Sequence, residues 1–163
     1  MIQRKQSLFL LGTGICMIVM VFLNIWVKND PETNQTITLN AFHLIHMETA
    51  ADGTQKIVSE VTNYYIVALS ILASIIAFAS LFSYKNRLTQ LKLNLLNALI
   101  IVGVAMASTY SIYFKGEPIF LPEIKGKYEL GYYLPVVALF FNLIANRFIK
   151  KDEELVRSVD RIR

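Results

Sequence analysis

Charge is scarce in this sequence. Only 17% of its 163 residues are charged, where a soluble domain carries about 25%. Four stretches hold no Asp, Glu, Lys, Arg or His at all: residues 7–27, 62–84, 93–114 and 130–146. Cysteine occurs once, at Cys16. An intrachain disulfide is therefore excluded, and a lone thiol inside an apolar run reads as packing. HExxH, GxSxG and a phosphate-binding glycine loop are all missing. No internal repeat is visible, so an inverted-repeat transporter is unsupported. Proton relays and ion pathways need ionisable groups inside their spans, and these spans have none. The expectation is a protein that is no enzyme and needs no cofactor.

What is present is apolar. Hydrophobic residues make up 55% of the chain and the mean hydropathy is +0.47. A helix needs roughly 20 such residues, at about 1.5 Å each, to cross a hydrocarbon core of about 30 Å. Three stretches meet that directly, and the fourth reaches residue 149 when Arg147 and Lys150 snorkel. A soluble bundle would need a polar stripe on each helix, and these segments are apolar all round. The first run, at 21 residues, exceeds a signal peptide's core and is followed by no small-x-small cleavage site. It is expected to be an uncleaved span.

These patterns predict an all-α membrane protein of one domain, residues 1–163. Its fold would be a four-transmembrane-helix bundle with spans over 7–27, 62–84, 93–114 and 130–149. A short periplasmic β-hairpin would join helices one and two, and a cytoplasmic helical tail would cover 150–163. Basic residues set the orientation. Arg4 and Lys5, then Lys85, Arg87 and Lys92, then six in the tail place 11 of 16 on one side. The loops 28–61 and 115–129 hold the other five basics and eight of the twelve acids. The positive-inside rule puts both termini in the cytoplasm. Trp26, Tyr64, Tyr65, Tyr113, Tyr132 and Tyr133 fall where an outer aromatic belt belongs.

In the first outer loop, TITLNAFHLIHM and TQKIVSEV are rich in β-branched residues and flank an Asp52-Gly53 turn signal. In the second, Lys125-Gly126 offers a small turn, and its prolines and glycines exclude a long helix. His43, His46 and Glu48 suggest metal ligands at first sight. Residues three apart on a strand face opposite ways, so no metal site is expected.

Within the spans, Ser70, Ala73, Ser74 and Ala77, and again Gly103 with Ala107, are small residues at helical spacing, suited to close helix approach. Gly12-Thr13-Gly14 reads as another packing spot. Asn94 and Asn97 in span three and Asn142 and Asn146 in span four share one depth. They form a candidate polar cluster, either structural glue or a binding notch. In the tail, Leu155, Val159 and Ile162 make a narrow apolar stripe, and Lys150–Glu154 and Glu153–Arg157 are spaced as helical ion pairs.

The opening MIQRKQSLFLL, the stretch GYYLPVVALFFNLIANRFIKKDEELVRSVDRIR and the four-span layout together resemble an uncharacterised four-span inner-membrane protein family of Bacteroidota. That family is filed as number 4293 among the domains of unknown function. The resemblance runs the whole chain and is most specific at residues 1–4, 131–135 and 151–163. It implies an inner-membrane protein and no reaction. Tyr132, Pro135, Lys151, Asp152, Glu153, Glu154, Arg157, Ser158, Asp160, Arg161 and Arg163 match the motif, and the tail positions among them are the expected partner contacts. The expected function is that of a subunit or accessory factor of a larger membrane complex, in protein export or insertion or in envelope assembly. The alternative is a lipid or small-molecule carrier that uses the Asn cluster. Expected partners are the lipid bilayer and other inner-membrane proteins. A ribosomal or nucleic-acid contact through the tail is the weakest option, because the tail is also acidic.

Overall fold

The computed structural model describes residues 5–50, 54–84, 86–119 and 124–160, with side chains as far as Leu155. In chain order these form α1 (Lys5–Phe22), β1 (Asn24–Asp30), β2 (Gln35–Asn40), β3 (His43–Thr49), β4 (Gln55–Thr62), α2 (Tyr64–Phe82) and α3 (Arg87–Tyr110). A π-helical turn (Ser111–Gly116) and a 3-10 turn (Glu117–Ile119) follow, then β5 (Lys127–Tyr128) and α4 (Leu130–Asp160). All four helices are long and apolar enough to cross a membrane.

The expected all-α fold with one short hairpin is overturned. The strands build a five-stranded antiparallel sheet in the order β4-β3-β2-β1-β5, so the fold mixes α and β. Two local reasons explain the difference. First, the apolar run through residue 27 is not one helix: α1 stops at Phe22 and NIWVKND continues as β1. Apolarity over a window does not separate a helix's last turn from an apolar strand. Second, TITLNAFHLIHM is two strands. The Asn40 side chain accepts hydrogen bonds from the backbone N–H of Phe42 (2.9 Å) and His43 (2.7 Å), and this turn folds β2 back onto β3. The Asp52-Gly53 turn lies outside the described residues. The strands that flank it, β3 and β4, do pair as a hairpin.

The helices run up and down in sequence, each packed on its neighbours, with α1 closing the ring against α4. Asn86 caps α3 by accepting from Thr89 N–H at 3.2 Å. Close helix approach is built at Gly12 and Gly14, where an added Cβ would sit 2.9 Å from the Phe141 and Phe78 rings. Between them Thr13 Oγ1 donates to Phe9 O at 2.9 Å, and Ser74 Oγ of α2 donates to Gly14 O at 3.2 Å. Ser70, Ala73, Ser74 and Ala77 are all buried. Gly103 is different: an added Cβ there meets nothing within 4 Å, so it is no close-packing spot.

The sheet lies at the end of the bundle where α1 and α3 finish and α2 and α4 begin. Its inner face carries Trp26, Ile37, Leu39 and Leu44, buried in one cluster with Ile66 and Ile112. Trp26 is no belt residue, because it is completely enclosed. Its indole lies against Gly116 and Gly126, where added Cβ atoms would come within 2.8 Å and 2.1 Å of the ring. Only a residue without a side chain lets the second loop reach β1 there. That contact makes β5 a strand of the same sheet instead of a separate hairpin.

Candidate functional site

Three places combine polar or charged groups with unusual surroundings. The first is inside the bundle, at the end away from the sheet. Asn94, Asn97 and Asn142 are fully buried. Asn142 donates to Asn94 O at 2.8 Å, and Ser80 Oγ donates to Asn94 Oδ1 at 2.7 Å. Gln90 Nε2 donates to Ser80 O at 2.8 Å. Three of the four expected amides therefore share the interior with Ser80 and Gln90, while Asn146 is half-buried at its margin. The cluster is only partly satisfied. Both side-chain polar atoms of Asn97, with Asn94 Nδ2, Asn142 Oδ1 and Gln90 Oε1, are buried without a hydrogen-bond partner. Such an atom costs about 1–3 kcal/mol.

The second place is the sheet. Lys28, on β1, is completely buried and donates to Glu117 Oε2 at 2.8 Å and Glu117 O at 3.1 Å. Asn63, the single residue between β4 and α2, is buried. Its side-chain oxygen accepts from Lys115 Nζ at 2.9 Å and from Tyr65 OH at 3.2 Å. Tyr65 also bonds Ser111, and Lys115 lies 5.0 Å from the Tyr65 ring centre. This knot ties the start of α2 to the π-helical turn. Tyr128 OH lies 3.2 Å from Tyr113 OH, and that hydrogen bond, with burial second, pushes the Tyr128 phenol up to about 12. In the β1–β2 hairpin, Asp30 accepts from Thr33 Oγ1 at 2.6 Å and from Glu32 N–H at 2.9 Å, and these bonds hold its carboxyl below the ordinary value. Sequence reasoning missed this set, because Tyr65 and Tyr113 read as belt residues and the other members as isolated polar positions.

His43 and His46 have separate surroundings. His43 Nε2 is 3.4 Å from Tyr64 OH and 3.5 Å from Glu60, whereas His46 Nε2 is 3.0 Å from Gln35 Oε1. Glu48 pairs across the sheet with Gln35 and Lys56. Among the described residues no group of three or more His, Cys, Asp or Glu is placed to hold a metal.

At the sheet's free edge every residue of β4 is exposed. Ile57, Val58 and Val61 are 57%, 51% and 41% accessible. The opposite edge strand, β5, is two residues long and packs its Tyr128 against Tyr132.

The third place is the end of α4. The helix continues without a break past the apolar segment to Asp160. Arg87 Nε at the start of α3 lies 3.2 Å from Asp152 Oδ2 and ties the tail's root to the bundle. Lys151 and Glu154 are exposed, and Asp152 and Glu153 are half-buried. The expected Lys150–Glu154 pair is not formed. Arg157, Ser158 and Asp160 lie on the helix, but their side chains, like all of Arg161 and Arg163, fall outside the described residues, and with them the Glu153–Arg157 pair. Grooves line the helices among the described residues. One of about 660 Å³ lies between α3 and α4 towards the sheet, walled by Val102, Met106, Tyr110, Pro135, Val136 and Leu139 among others. One of about 410 Å³ follows it along the same seam, formed by Leu91, Phe140, Leu143, Ile144, Asn146, Arg147 and Lys150. A third, of about 180 Å³, lies between α1 and α4 at Lys5, Gln6, Phe148 and Lys151.

A family model described as a domain of unknown function (DUF4293) matches residues 2–162, and the chain belongs to that family. No curated protein matches it.

Proposed function

Since family membership supplies no activity, we propose from the chain's own surfaces that it is a non-enzymatic integral membrane protein, a subunit or accessory factor of a larger membrane assembly. Its four apolar helices span the bilayer of the bacterial inner membrane. Both termini and the basic end lie in the cytoplasm, and the sheet lies on the other side. The outward helix faces support the bilayer part of this reading. Leu8, Ile15, Ile75, Leu95, Leu99 and Met106 all stand exposed, far beyond the patch a soluble monomer tolerates.

The observation that carries the docking part is β4. An open edge offers a row of unpaired backbone groups, which proteins normally shorten, cover or charge. Here the edge strand is eight residues long with three exposed aliphatic side chains, guarded by Lys56, Glu60 and one bulge opposite His46/Met47. Such an edge suits strand addition by a partner chain. The α4 extension with Lys151, Asp152, Glu153 and Glu154 is the second contact, on the cytoplasmic side.

A photo-crosslinking residue at position 57 tests this in cells. A discrete heavier adduct from Ile57, and none from a probe at Lys127 on the closed edge, is the expected result. A monomer band alone from both positions, with a single monomeric species after mild-detergent extraction, rejects the subunit reading. The carrier reading, working through Asn94, Asn97, Asn142 and Asn146, draws on the unpartnered amide atoms. It is less favoured because none of the three grooves reaches Asn94, Asn97 or Asn142.

A further inference from the structure

Among the described residues, several cations at the basic end have no protein partner, and two of them share one groove. Arg147 and Lys150 are exposed, and neither forms an ion pair or hydrogen bond with another described residue. Their neighbour Arg87, in contrast, is engaged by Asp152. Spaced three apart on α4, the two point along one helix face. Both line the 410 Å³ groove of the α3–α4 seam, whose remaining wall is Leu91, Phe140, Leu143 and Ile144 with the amide of Asn146. No acidic residue lines it. The groove is thus apolar along its length and cationic at one end. Towards the sheet the seam continues into the 660 Å³ groove, which begins at Leu139 and Pro135. From Lys150 to Pro135 is 15 residues, roughly 22 Å at about 1.5 Å per residue. That is close to the depth of most of a hydrocarbon core.

We infer that the α3–α4 seam is a binding site for one anionic phospholipid. Its phosphate is held by Arg147 and Lys150, with Asn146 beside them, and one acyl chain lies along Phe140 and Leu143 towards Leu139. Charge complementarity selects this occupant. A second protein helix would cover the groove's apolar floor but leave both cations unanswered. A zwitterionic lipid brings its own cation to the same spot. Basic pockets between helices at the cytoplasmic surface are the usual seat of such headgroups. The inference rests on the reading that the bundle spans a bilayer.

The test uses the full chain in phosphatidylcholine vesicles that contain phosphatidylglycerol. Flotation is measured first, and the lipid retained on the protein after release into mild detergent is then counted by native mass spectrometry. Wild type is expected to retain one phosphatidylglycerol in preference to phosphatidylcholine. Arg147→Gln with Lys150→Gln should lower that preference roughly thirty-fold, about five-fold per cation. Lys92→Gln with Lys127→Gln removes the same net charge elsewhere and should leave it unchanged. Leu143→Trp keeps both cations and narrows the floor, and it should weaken retention of the long-chain lipid but not of a short-chain analogue. All five positions except Lys127 lie at or near the basic end and all are exposed, so the fold tolerates the changes. Equal retention by wild type and the Arg147/Lys150 variant overturns the site. An unchanged Leu143→Trp overturns the acyl seat. A chain that does not float overturns the bilayer reading itself.

Discussion

The two edges of the sheet are built to opposite rules. At the β1–β5 edge Trp26 is enclosed between two glycines, Lys28 is buried on Glu117, and Tyr128 reaches Tyr113. At the β4 edge every residue is exposed, and no described residue covers the aliphatic ones. One edge spends its residues on holding the second loop to the first, and the other leaves its backbone free. On the proposed reading, stability and docking fall to different strands of one sheet, so each should be alterable without the other.

The sharpest way to break that division is at Trp26. Trp26→Ala removes the largest enclosed side chain of the closed edge and should cost about 3–5 kcal/mol, read by denaturant titration in detergent micelles. A loss under about 1 kcal/mol would mean that the edge is held by something else. Next is Gly126→Ala, whose new Cβ collides with the indole at 2.1 Å. Overpacking of this kind costs about 1–3 kcal/mol. It should appear first as faster amide exchange at Lys127 and Tyr128, with β4 unaffected. At the open edge, Ile57→Lys and Val61→Lys should change stability by no more than about 0.5 kcal/mol while abolishing the adduct from a probe at Val58. A stability loss as large as that at Gly126 would erase the contrast between the edges.

The smallest effect belongs to the hairpin between the two edges. Asp30 has its carboxyl pKa lowered in the folded chain, chiefly by Thr33 and then by Glu32 N–H. A lowered folded value contributes stability that is present above the ordinary value of 3.8 and is lost as pH falls through the folded one. Asp30→Asn should therefore melt slightly below wild type at neutral pH, and the gap should close as pH drops below that range. A gap independent of pH would mean that the hairpin draws nothing from the charge.

How much of this was legible in the sequence depends on which periodicity a segment obeys. The four apolar helices were readable from run length alone. The sheet was half readable: the β-branched runs marked β3 and β4, but Asn40 was not recognised as a turn residue, so β2 vanished into β3. β1 was hidden because Ile25, Trp26 and Val27 extend an apolar run that helix and strand both accommodate. β5 is two residues long, and its pairing comes from Trp26 needing Gly126, a contact 100 residues apart that no local pattern carries. In the candidate sites, equal depth brought together Asn94 and Asn142, which hydrogen-bond, while Asn97 is buried without a partner; helical spacing found the buried Ser70–Ser74 face. Gly103 shared that spacing but faces open space. Arg147 and Lys150 were read as topology signals and snorkelling cations, with Lys150 also paired to Glu154, and not as groove residues, because a groove formed by two helices has no signature on either one.

The junctions between strand and helix hold a mechanical consequence. Leu23 alone separates α1 from β1, Asn63 alone separates β4 from α2, and Glu129 alone separates β5 from α4. None of these leaves slack. Asn63 is further clamped, since its N–H donates to Phe42 O at 2.7 Å and its side chain holds Lys115 and Tyr65. A load applied to β4 is therefore transmitted to the first turn of α2 with no hinge to absorb it. Traction on the sheet becomes torque on a helix whose far end lies beside the buried amides.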